Sequence, residues 1–533
     1  MKKAVIISLV VIAAAIFGWR FWGNSKDQEL AADHLKVQAA TLNNLEKKAR
    51  SGDARSQLRL GEIYLSGQDG LPPDPTLAWR WLTPAAKEGL PHAQYLLGQL
   101  YQRGEGTDKN PLEAANWFRL AADQGDREAQ FELGLAYYYG EGLAQDKNQA
   151  LKWIRSAAVQ GLTKAQVYVG GFYDEGEIVP LDKGEAVKWY RLASESGDPI
   201  GELNLGLAFA QGEGVPVDKT EAASLFRQSA DKGNPIAQNY LGNALMEGMG
   251  VKVDKKEAVK WYVLAADQHL PEAQYNLGLA LATGQGVAPD PEAAFKWFQA
   301  AAHGGNLQAQ RLAAEAYLTG KGVKMDKDEA IRWYRLAATR GDPDSIFHLG
   351  LAYDLGEGAP QDKAEAAKWY KIAAELGDPD AQFCYGVLLE AGEGVPKDPK
   401  EALKWFKLAA EKGNVDAQTI VAEAYSLGQG VAVDKMEAFA WYRLAANGGD
   451  LNAIRRLGQA YELGEGPKED KVEAVKWYKK AADQGDAEAQ LALGLLLSNG
   501  QGVAKDLTEA RKWLRLAADQ GLEKAQDILT QMP

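Results

Sequence analysis

Apolar and small residues return along this chain in one fixed register. Trp81, Trp117, Trp153 and Trp189 stand 36 residues apart, Leu225 takes the next slot, and Trp261 to Trp513 continue without a slip. That makes thirteen slots, twelve of them tryptophan. Around Trp513, the residues Ala510, Leu514, Ala517 and Ala518 complete an i, i+3, i+4, i+7, i+8 stripe, which predicts an amphipathic helix. Alanine stands three residues before every slot, from Ala78 to Ala510, and predicts close approach of a neighbouring helix backbone. Seven residues before the slot comes Asp (Asp146, Asp182, Asp506) or Asn110, usually followed three residues later by Glu, as in Glu185, or by Gln149. This pattern predicts a capping box in which each side chain satisfies an orphan amide. Eight residues after the slot stands glycine, as at Gly125, Gly377 and Gly485, to end the helix with positive φ; His269 is the exception.

A second helix precedes each of these. Its signature is Ala93-Gln94 to Leu97-Gly98 and Tyr101, and the glycine recurs from Gly61 to Gly494, with Ala314 and Ala422 in its place twice. A mid-helix glycine costs about 1 kcal/mol against alanine, so its recurrence predicts a partner helix in contact there. Between the helices lie Gly-x-Gly loops (Gly104/Gly106, Gly212/Gly214, Gly500/Gly502). Helices on both sides favour turn geometry over a phosphate cradle, which would follow a strand. One helix pair cannot bury its apolar face alone, so the pairs must stack and share a core. The expected organisation is thirteen repeats over 53–521, a tether and capping helix over 23–52, and a C-terminal capping helix over 522–533. The first cap reads as a degenerate second helix within 28–51, with Asn44 in the tryptophan slot and Gly52 as its stop.

The N-terminus reads differently. Lys2 and Lys3 precede a run from Ala4 to Trp19 whose only polar side chain is Ser8. Ala4 to Trp22 as a helix would span about 28 Å, close to the ~30 Å hydrocarbon core. The lysines favour an N-in orientation, with Trp19 and Trp22 at the far interface and Arg20 snorkelling. Residues 1–22 are therefore a signal anchor or, if Ala13-Ala14-Ala15 is cleaved, a signal peptide. The expected location is a bacterial inner membrane, single-pass, with the repeats in the periplasm. The alternative is a soluble periplasmic or secreted protein.

Composition narrows the chemistry. Among 533 residues, 60 Lys+Arg against 73 Asp+Glu give a net charge of −13. Dispersed acidity argues against a nucleic-acid partner. One cysteine, Cys384, excludes an internal disulfide framework. The five histidines form no i, i+4 pair and no HExxH motif, so no metal site is expected. His348 and Cys384 are 36 apart and occupy equivalent sites on successive first helices. Helix axes about 8–10 Å apart keep them from a direct hydrogen bond unless both lean inward. The paired carboxylates are helix punctuation, and the fixed tryptophans are read as core. No catalytic residue and no cofactor is expected.

The run Ala-Gln-x-x-Leu-Gly-x-x-Tyr, Gly-x-Gly-Val, Asp-x-x-x-Ala-x-x-Trp-Tyr, Ala-Ala and Gly resembles the Sel-one-like repeat, a longer cousin of the tetratricopeptide repeat, over 53–532. The resemblance implies an all-α, right-handed α-solenoid of antiparallel helix pairs and a role in assembling protein complexes. Some disulfide-bearing relatives are described as β-lactam-binding or hydrolysing, which makes a cell-wall or β-lactam binding/hydrolysing enzyme the alternative; this chain lacks their cysteines. In such stacking the concave wall comes from the first helix, three before, one after and four after its glycine. That face reads Tyr95, Gln99, Gln102; Phe131, Leu135, Tyr138; Val167, Gly171, Asp174; Asn239, Asn243, Met246; Tyr275, Leu279; Phe347, Leu351, Asp354; Phe383, Val387, Glu390. Aromatics beside acids and amides suit a protein or peptide partner, unless the aromatics serve packing between repeats. The expected function is a non-catalytic interaction scaffold, tethered to the membrane through its N-terminal helix.

Overall fold

The computed structural model describes residues 40–68 and 71–532, and among these there are helices and no strand. Two compact units divide the chain, one ending at Gln268 and one starting at His269. In the first unit a helix over 40–50 is followed by six pairs, from Ala54–Ser66 with Pro75–Lys87 to Pro235–Glu247 with Lys255–Asp267. In the second, seven pairs run from Pro271–Thr283 with Pro291–His303 to Ala487–Asn499 with Leu507–Asp519, and Glu523–Gln531 follows. Within each unit every helix lies on the next, most extensively inside a pair, which makes each an α-solenoid. The signal-anchor segment 1–22 and the tether lie outside the described residues. No described helix is long and apolar enough to cross a membrane.

The repeating alanines are buried in all thirteen copies, Ala78 and Ala510 at 0% exposure. The mid-helix glycine answers a side chain, the residue after the tryptophan slot. A Cβ on Gly350 would sit 2.4 Å from the Tyr370 ring, and one on Gly386 2.7 Å from Phe406. Those residues are buried more deeply than the tryptophans: Tyr370 and Phe406 are 0% and 2% exposed. Trp189, Trp333 and Trp513 are buried, but the remaining slot tryptophans are half-buried, a correction to reading the tryptophan as core throughout.

The capping box is also corrected. Asp146 Oδ1 accepts from the amides of Asn148 and Gln149, both at 3.0 Å. The reciprocal bond is not made, because the Asp146 amide already donates to the Tyr137 carbonyl of the preceding helix at 3.0 Å. The first-turn glutamate is thereby free for other work. Glu185 pairs with Lys188 at 2.7 Å, and Glu437 accepts from the Trp441 indole at 3.0 Å. The second loop glycine faces the previous repeat: a Cβ on Gly142 would lie 2.2 Å from the Pro111 carbonyl oxygen, at φ +72. This is the turn geometry expected of the Gly-x-Gly loops.

A glutamine lock joins successive repeats. Gln94 Nε2 donates to the Ala86 carbonyl of the preceding repeat at 3.1 Å, and Gln124 Nε2 donates to Gln94 Oε1 at 2.8 Å. Gln57 does the same to Ala49, so the 40–50 helix receives the first repeat as any other would. In one copy the lock is ionic. Glu202, 1% exposed, takes the glutamine's place, and Lys232 pairs with it while donating to the Gly197 carbonyl at 3.0 Å.

His269 is the one described non-glycine residue with positive φ, at +63. Left-handed backbone costs a side-chain-bearing residue roughly 1–2 kcal/mol. His269→Gly should therefore raise stability by about 1 kcal/mol, read as a higher midpoint in urea.

Candidate binding face on the first helices

In the first unit, Tyr95 is half-buried, its ring 6.2 Å from Phe118 of the same repeat, and its hydroxyl accepts from Gln99 Nε2 at 2.7 Å. Phe131 is 7% exposed and meets Tyr168 of the next repeat edge-on at 5.3 Å. Tyr138 lies against Phe172 at 5.6 Å and donates to Glu177 Oε2 at 2.5 Å, and that carboxylate pushes its phenol up to about 12. Asp174 pairs with Lys183 at 2.9 Å. Asn239 is 7% exposed, and Asn243 Oδ1 accepts from the Tyr262 hydroxyl at 2.7 Å.

The second unit repeats the scheme. Tyr275, Phe347 and Phe383 are half-buried, each within about one ring contact of its own repeat's buried aromatic: Phe298 at 6.2 Å, Tyr370 at 5.9 Å and Phe406 at 5.8 Å. Asp354 accepts from Lys363 at 2.5 Å and from the Tyr370 hydroxyl at 3.2 Å. Glu390 is exposed. Most of the expected face thus stands half-open along the first helices of each unit, while Phe131 and Asn239 are turned into the packing.

Reading the sequence by three offsets missed the residue two before the glycine. There stand Glu132, Tyr168, His348 and Cys384. Glu132 is the only carboxylate at that place in thirteen copies, a signal that was available in the sequence.

His348 and Cys384 serve different tyrosines. The imidazole stacks on Tyr334 at 4.7 Å, and burial lowers its pKa. Burial and the Asp354 charge push the Cys384 thiol up to about 11. A thiol held protonated is a poor nucleophile. At pH 8 iodoacetamide should modify Cys384 about a hundredfold more slowly in the folded chain than after denaturation, followed by mass spectrometry. Among the described residues, no group of three or more His, Cys, Asp or Glu is placed to hold a metal ion.

Stacked helix pairs with a 36-residue period and a varied first-helix face define a repeat protein of the α-solenoid class. The Sel1 repeat profile matches thirteen consecutive segments, from 54–90, 91–126 and 127–162 through to 487–522. The chain belongs to the Sel1 repeat family. It is similar to the crystal structure of c5321, a protective antigen of uropathogenic Escherichia coli displaying an SLR fold. That match has 30% identity and a TM-score of 0.65, and covers 91% of this chain and 97% of that one. A Sel1 repeat protein from Oxalobacter formigenes matches at 31% identity over 46% of this chain and 96% of its own, with a TM-score of 0.41. The ERAD-associated E3 ubiquitin-protein ligase component HRD3A of Arabidopsis thaliana is 39% identical over 62 residues. These are 12% of this chain and 9% of that protein's length.

Proposed function

We propose that the protein is a non-catalytic scaffold that holds a protein or peptide partner on its first-helix face. One observation carries the reading: Tyr95, Tyr275, Phe347 and Phe383 are left half-open, each backed by a buried ring of its own repeat. A rigid aromatic with one face supported and one free is the usual anchor of a protein interface. Polar neighbours such as Gln99 and Gln102 supply the rim. The apolar run from Ala4 to Trp19 supports tethering to a membrane with the repeats on its exported side.

The test is capture of the native partner by crosslinking in the envelope. Tyr95→Ala with Tyr275→Ala should reduce capture at least tenfold, as expected of anchors contributing about 2 kcal/mol or more. Val387→Arg, at an exposed position on the same face, should do so without touching any buried ring. Capture unchanged by all three, with the helical circular dichroism intact, would remove the face from the function. The mass of the mature N-terminus from the same sample separates anchor from cleaved signal.

A further inference from the structure

The carboxylates of the first-helix face are mostly answered from within. Asp174 has Lys183, Asp354 has Lys363 and Tyr370, and Glu462 accepts from the Tyr478 hydroxyl. Glu390 is exposed to water. Glu132, on the helix Arg127–Tyr139, is different. It is half-buried, it makes no ion pair among the described residues, and it accepts from the Gln102 amide at a long 3.4 Å. Lys164 and Arg103 act on it only from a distance. Burial accordingly raises its pKa. Its charge also reaches the hydroxyls of Tyr95 on the preceding repeat and Tyr168 on the following one. Nothing in the packing of the repeat calls for an acid here, since the same place holds Leu96, Ile420 or Ala492 in other copies.

Resting on the scaffold reading, we propose that Glu132, half-buried beside the Gln102 amide of the preceding repeat, receives an arginine side chain of the bound partner. A half-desolvated carboxylate gains most from a fixed, charge-assisted pair. A planar guanidinium can meet the carboxylate and lie along tyrosine rings together, which a lysine ammonium does less well. The site would give the partner its register on the first unit.

The probe is a fluorescein-labelled penta-arginine peptide, titrated by anisotropy against the full chain at about 150 mM salt, with penta-lysine in parallel. Glu132→Gln should weaken penta-arginine binding about tenfold. Glu195→Gln, which removes the same formal charge from an exposed place at the end of the second helix Lys183–Glu195, should change it less than twofold. Penta-lysine should bind more weakly than penta-arginine. Because the carboxylate is held for a partner and not for the fold, Glu132→Gln should unfold at the same or a higher temperature than the parent. Equal weakening by the two substitutions, penta-lysine binding as tight as penta-arginine, or a lowered unfolding temperature for Glu132→Gln would each overturn the proposal. If Glu132→Gln is silent while Tyr275→Ala still abolishes partner capture, the arginine site fails and the scaffold reading stands.

Discussion

Lys232→Ala should destabilise its part of the first unit by about 3 kcal/mol, because it strands a carboxylate that is 1% exposed. Glu202 sits in the place where other repeats carry the glutamine of the inter-repeat lock, and Lys232 is its one cation partner among the described residues. Pairing a buried acid adds little net stability, but removing one partner leaves an uncompensated charge. The remedy is specific. Glu202→Gln with Lys232→Gln recreates the Gln94–Gln124 arrangement and should return stability to within about 1 kcal/mol of the parent. Long repeat arrays need not unfold in two states, so hydrogen exchange over Pro199–Gln211 and Lys219–Asp231 is the suitable measurement. Equal protection in Lys232→Ala and parent would show that the pair is not needed.

Phe406→Ala should cost about 3–5 kcal/mol, the usual loss for a fully buried aromatic. The ring fills the notch left by Gly386 and touches Phe383. The neighbouring Trp405→Ala should cost about half as much, since Trp405 is half-buried and meets Tyr385 edge-on at 5.6 Å. Urea midpoints of the two variants, with exchange over Pro399–Glu411, give the ranking. A larger loss from Trp405→Ala would reverse the assignment of the core.

The contrast at 405 and 406 shows what was legible in the sequence. The period, the helix starts at Asp and the stops at Gly could be read because each is a local backbone requirement repeated in register. Which of two adjacent aromatics goes inside could not, since both lie on the same amphipathic stripe and the Gly386 notch decides between them. The glutamine lock was half visible: Gln94 stood out in its motif, but its donor Gln124 is 30 residues on. The capping box failed at its second bond for a similar reason, an unseen carbonyl at Tyr137. On the candidate face the offsets located Tyr95, Tyr275, Phe347 and Phe383 on one side of their helices. They could not tell that Phe131 would be drawn under Tyr168.

Recognition through the first helices is tested most directly by a photo-reactive p-benzoylphenylalanine placed singly at four positions in the full chain. Tyr275 and Phe383 lie on the first-helix face; Leu120 and Leu408, 49% and 42% exposed, lie on second helices. Irradiation in the native cell should give the same crosslinked partner from Tyr275 and Phe383 and none from Leu120 or Leu408. Crosslinks from the leucine positions alone, or equally from all four, would contradict it.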